Sequence, residues 1–102
     1  MGRSQSQLQS ILEDLNPTGK VYFQPPNGTQ MVYPAIVYAR DYRLTIFANN
    51  RPYIGTKRYQ VTIIDRDPNS NIPELVAALP LCAFTRFFAN AGLNHDIYDL
   101  YF

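Results

Sequence analysis

Leu8, Ile11, Leu12 and Leu15 recur at i, i+3, i+4 and i+7, and the positions between them hold Gln, Ser, Glu and Asp. That spacing places the apolar side chains in one stripe along a helix. Two capping boxes compete for its start, Ser6 with Gln9 and Ser4 with Gln7. Asn16-Pro17 and Gly19 stop it, so the helix ends at about Leu15.

The pattern then shortens toward a period of two. Lys20 to Gln24 is rich in strand formers, and Pro25-Pro26-Asn27-Gly28 turns the chain after it. A second extended run starts at Ala35, passes Tyr38 and reaches toward Leu44, and the segment from Ala48 to Gly55 reads as a loop. Arg58 to Asp65 is the strongest strand: Tyr59, Val61 and Ile63 point one way, Gln60 and Thr62 the other. Turn residues from Asp65 to Ser70 lead into a short helix, with Asn71 as cap, Glu74 reaching back to it and Pro73 in the first turn. Leu75, Val76 and Leu79 are expected to face the core, and Pro80 closes the element. Two last strands follow, Cys82 to Ala89 and His95 to Phe102, with Asn90-Ala91-Gly92 as the hairpin turn between them.

The order α-β-β-β-α-β-β predicts a two-layer α+β fold, a mainly antiparallel sheet flanked by two helices. With 102 residues the chain fits one domain, 1–102. Eight Tyr and six Phe, with no Trp, suit a sheet with an amphipathic face. A formal charge of +1 gives no electrostatic case for a nucleic-acid-binding module. The chain lacks both a signal-peptide pattern and the ~18 consecutive apolar residues of a membrane span. The single cysteine, Cys82, allows no internal disulfide, which fits a reducing cytoplasm.

Catalytic chemistry needs convergent titratable groups. Cys82, His95 and Asp96 supply the types for a nucleophile system, but Cys82 lies in the apolar run Pro80-Leu81-Cys82-Ala83-Phe84 and reads as a core residue. Asp65, Asp67, Asp96 and Asp99 lack the spacing of a calcium loop, and Asp65 and Asp67 suit local turn hydrogen bonds. The glycines are scattered singly, so there is no phosphate loop. The expectation is no enzyme, no catalytic residue, no metal and no cofactor.

One segment is biased. From Arg40 to Arg58 the chain carries Arg40, Arg43, Arg51, Lys57 and Arg58 against one acid, Asp41, with Asn49, Asn50, Pro52, Tyr53 and Ile54 between. It reads either as a solvated hairpin or as a basic arm that meets a partner or passing DNA. The chain also closes on Leu100-Tyr101-Phe102, apolar residues that need burial in the sheet or against a neighbour.

Taken in order, Tyr33-Pro34-Ala35-Ile36-Val37-Tyr38, Arg51-Pro52-Tyr53, the run Thr56 to Pro68, Ile72-Pro73, Leu79-Pro80 with Cys82, Leu93-Asn94-His95-Asp96 and the ending Leu100-Tyr101-Phe102 resemble the short tail-terminator, or tail-completion, proteins of siphophages and prophages. The resemblance spans about residues 5 to 102 and rests on the ordered series. It implies an α+β subunit that assembles as a ring, usually a hexamer, on the head-proximal end of the tail tube. Such a ring stops tube growth and docks to the filled head. The implied partners are further copies of the chain, the tail tube protein, a head-completion or connector protein, and DNA passing the lumen without sequence recognition. The implied location is the virion's head-tail junction, after assembly in the host bacterial cytoplasm, with no membrane involved. Residues expected at subunit or tube contacts are Arg43, Asn50, Arg51, Tyr53, Lys57, Arg58, Tyr98, Tyr101 and Phe102. A head-completion or connector-stopper protein on the capsid side is the alternative role.

Overall fold

The computed structural model describes residues 4–40, 58–67 and 69–102. Helix α1 (Gln5–Leu15) opens on Ser4, whose side chain accepts from the Gln7 backbone while the Gln7 side chain accepts from the Ser4 N–H at 2.8 Å. Of the two capping boxes the chain offers, it uses Ser4 with Gln7. Leu8 and Leu12 are fully buried, so the apolar stripe faces inward.

Strands β1 (Lys20–Phe23), β2 (Ala35–Arg40) and β3 (Arg58–Asp65) follow, then helix α2 (Ile72–Ala77) and strands β4 (Cys82–Asn90) and β5 (Leu93–Tyr101). This is the expected order α-β-β-β-α-β-β. The five strands form one sheet in the order β1-β2-β3-β5-β4. Three of its pairings are antiparallel, and β1 alone runs parallel to its neighbour β2.

Register assigns the faces. Ile36 opposes Ile63, Tyr38 opposes Val61, Val61 opposes Tyr98 and Tyr59 opposes Leu100. Directly opposed residues share a face. These side chains, with Phe102, pack against Leu8 and Leu12 of α1 and Ile72 and Val76 of α2 to make the core. Tyr38 is held among them with its hydroxyl donating to Gln9 Oε1 and accepting from Gln5 Nε2, so a buried phenol keeps its polar end satisfied.

Two expectations for α2 change. Asn71 precedes the helix but its side chain makes no capping bond; Ser70 Oγ accepts from the Ile72 N–H at 3.3 Å. Leu75 is 40% exposed, because the six-residue helix turns Ile72 and Val76 inward and leaves Leu75, just before Val76, outside.

The return from α1 is tightly built. Asn16 is buried, and its amide donates to Lys20 O at 3.1 Å and Pro34 O at 2.9 Å, while Lys20 N donates to Pro34 O at 3.3 Å. The Tyr33–Pro34 peptide is cis. Gly19 lies so close to this junction that a Cβ there would stand 1.7 Å from the Pro34 oxygen. At the other end of the chain, Ala91 (φ 54°) and Gly92 (φ 77°) make the β4–β5 turn, both in the left-handed region.

Candidate interaction surface

The catalytic constellation does not assemble. Cys82 opposes Leu100 in the ladder, whereas His95 opposes Phe88 five positions away along β5, roughly 17 Å at strand rise. Leu100 and His95 also have opposite parity, so Cys82 and His95 lie on opposite faces of the sheet. Burial, and then the nearby Asp99 charge, push the half-buried Cys82 thiol above its ordinary pKa, which disfavours the nucleophilic thiolate. His95 instead stacks on Phe88, with ring centroids 4.4 Å apart. Asp96 lies on the helix face, where burial raises its carboxyl and His95 pulls it back down.

The carboxylates of the β3–α2 turn serve the turn. Asp65 Oδ1 accepts from the Asp67 N–H at 3.0 Å, and Asp67 Oδ1 accepts from the Asn69 N–H at 2.9 Å. Two open clefts flank this turn, about 560 Å³ beside Asp14 and Leu75 and about 270 Å³ beside Glu74 and Phe87. Among the described residues no group of three His, Cys, Asp or Glu side chains is placed to hold a metal ion.

The expected contact residues divide. Arg43, Asn50, Arg51, Tyr53 and Lys57 lie outside the described residues. Arg58 opens β3 with its side chain 6% exposed and its Nη2 2.7 Å from Asp99 Oδ2, so it is an internal ion-pair residue and not an outward-facing contact. Tyr98 is buried against the edge of Phe84, ring centroids 5.5 Å apart, and its hydroxyl donates to Pro73 O at 3.1 Å. Phe102 is buried as well, and with Leu8, Ile11, Leu79, Pro80 and Leu100 it borders a cavity of about 80 Å³. The apolar end of the chain is therefore covered by its own subunit. Tyr101 is half-buried on the opposite face of β5.

The surface that stands out was not among those residues. Strand β4 is an outer strand of the sheet, nine residues long, exposed at every position after Cys82. Phe84, Phe87 and Phe88 are 58%, 53% and 38% exposed. A bulge explains their spacing. Phe84 opposes Tyr98 but Arg86 opposes Ile97, so Thr85 is an extra residue in β4. Beyond it the alternation is shifted by one: Phe87, opposite Asp96, returns to the helix face, and Arg86 and Phe88 occupy the other. Arg86 there lies over the Phe88 ring, 5.4 Å from its centroid. The edge thus offers aromatic area on both faces of the sheet and a row of backbone groups along its rim.

Among the described residues no helix is long and apolar enough to cross a membrane. The chain matches no family model, no curated protein and no solved structure.

Proposed function

We propose that the chain is a structural subunit of a phage tail, a terminator that closes into a ring on the head-proximal end of the tail tube. The observation that supports this most is β4, a long edge strand that leaves three phenylalanines in solvent. Small domains ordinarily blunt such an edge with prolines, charges or a covering element, because it invites pairing with another chain. Here the strand holds no proline and a single charge, Arg86, with Thr85 beside it. A growing tube ends in the same kind of surface, and a cap must offer something complementary to it. In a ring, each subunit adds a weak contact and the tube end holds all of them together, so affinity rises through avidity. The basic segment with Arg43, Arg51, Tyr53 and Lys57 supplies a further contact, to a neighbouring subunit or to the DNA in the lumen. Replacing Arg51 and Tyr53 together by Ala should impair assembly and leave the subunit folded; loss of the folded state would refute a contact role for that arm.

The direct test is negative-stain microscopy of particles made by the parent phage after deletion of this gene. Overlong or unjoined tails beside DNA-filled heads are the expected result. Tails of normal length beside leaking heads would move the protein to the capsid side of the joint, as a connector stopper. Normal virions would refute both roles.

A further inference from the structure

The two edges of the sheet are unequal. The β1 edge is four residues long, and its parity is fixed by Lys20 N and Gln24 N, which donate inward to Pro34 O and Tyr38 O. Only Val21 and Phe23 therefore turn backbone groups outward, and the Val21 carbonyl already accepts from Gln9 Nε2 of α1 at 3.4 Å. The β4 edge is nine residues long and, among the described residues, pairs on one side only, with β5. Its parity follows from Tyr101 N donating to Leu81 O. Antiparallel ladders alternate, so Ala83 faces β5 while Cys82 and Phe84 present their N–H and C=O groups outward. Past the bulge at Thr85, Arg86, Phe88 and Asn90 face β5, and Phe87 and Ala89 face out.

We propose that β4 is a homodimerisation edge, at which two copies pair β4 to β4, antiparallel, about a two-fold axis at Phe87. A second copy is the occupant because strand pairing needs a matching edge. The β1 edge of another subunit is too short, and partly satisfied, to match nine residues of β4. The remaining edge of the chain is β4 itself, and a strand paired with its own copy is self-complementary about a two-fold axis.

Charge and parity choose the centre. A two-fold axis at Arg86 would set two guanidinium groups against each other and would need backbone groups that already face β5. Centring on Phe87 uses groups that face out. It sets Phe87 against its copy on the helix face and Arg86 against the copy's Phe88 on the other, extending the cation–π contact made within each subunit. At the exposures given above, the three Phe side chains contribute about 300 Å² per subunit, taking 150–250 Å² for each ring. That is well short of the roughly 800 Å² per partner of a standard stable interface, so the pair is reversible. It also stops at two, because the paired sheet ends in two blunted β1 edges.

The dimer goes beyond the ring reading and does not depend on it. If β4 also serves the tube, the dimer is the resting form of the free subunit, shielding the edge until a tube end competes for it.

Sedimentation velocity of the purified full chain over a wide concentration range tests the proposal. The expected result is a monomer–dimer equilibrium in the micromolar range that Phe87→Lys weakens at least tenfold with circular dichroism unchanged. In a Cys82→Ser background, Phe87→Cys should give a disulfide-linked dimer on mild oxidation, while Asn69→Cys at the exposed turn should not. The proposal is overturned by a wild-type chain that stays monomeric throughout, or by association that survives Phe87→Lys undiminished. A closed ring in free solution would also overturn it, while leaving the terminator reading standing.

Discussion

Gly19→Ala probes the junction that fixes β1 beside β2. The methyl group would sit 1.7 Å from the Pro34 carbonyl oxygen and 2.8 Å from the Asn16 amide nitrogen. An ordinary contact needs about twice the first distance. The obstacle is backbone, so no side-chain rotation relieves it, and the strand has to separate from the loop. Separation breaks the Lys20 N–Pro34 O bond of 3.3 Å and the Asn16 Nδ2–Pro34 O bond of 2.9 Å. Two hydrogen bonds at about 1 kcal/mol each, with overpacking strain of about 1–3 kcal/mol, give a loss of roughly 3–5 kcal/mol. For a domain of this size that lowers Tm by roughly 12 °C or more. Urea denaturation and thermal melting followed by circular dichroism measure it. A Tm within about 2 °C of wild type would refute the steric reasoning, since a clash of several kcal/mol cannot be held in so small a shift for a domain of this size.

Asp99→Ala removes the carboxylate that accepts from Arg58 Nη2 at 2.7 Å and should cost about 3 kcal/mol in urea denaturation; a loss below about 1 kcal/mol would make the pair a screened surface contact. Burial raises the Asp96 carboxyl above its ordinary range, so its contribution to stability is complete below the unfolded pKa and is lost as pH rises through the folded one. Asp96→Asn should therefore raise Tm relative to wild type near neutral pH, with the gain vanishing below about pH 4; an equal gain at both pH values would contradict it. Cys82, whose thiol pKa is raised by burial and then by Asp99, should react slowly with a disulfide reagent at neutral pH and speed up only at a higher pH than a free thiol does. Rapid labelling at pH 7 would restore it as a candidate nucleophile.

Most of the fold was legible because its elements keep strong periods. The stripe from Leu8 to Leu15 and the alternation through Tyr59, Val61 and Ile63 lie in the core where their spacing puts them. The parallel pairing of β1 with β2 was not legible, since parallel neighbours are usually joined through a helix and here a loop of residues 24–34 makes the crossing. Leu75 misled because apolar spacing does not reveal that the helix is only six residues long. The interaction surface was the least legible part. Phe84, Phe87 and Phe88 follow no period of two, and the reason is the bulge at Thr85, a feature of pairing between strands and not of local sequence. An apolar strand at a sheet edge carries the same letters as one in the middle. Arg58 was expected at contacts as the end of the basic arm, and Tyr98 and Phe102 as parts of the strand edge near the end of the chain, yet the ion pair with Asp99 and the packing under α1 and α2 use them inside the subunit.

The turn between β4 and β5 has a consequence for how firmly β4 is held. Two-residue hairpin turns of this geometry favour Asn or Asp followed by Gly, and alanine at φ 54° is disfavoured. The turn therefore does little to nucleate its own hairpin. Strand β5 is matched over eight positions on each side, to β3 from Arg58–Tyr101 to Asp65–Asn94 and to β4 from Cys82–Leu100 to Asn90–Leu93, so the two ladders and not the turn set its register. Strand β4, held on one side only among the described residues, is expected to exchange its amide protons ahead of those in β3 and β5, which are paired on both sides. The proposed contact edge is thus less firmly held than the strands at the centre of the sheet, able to adjust its pairing while they stay in place.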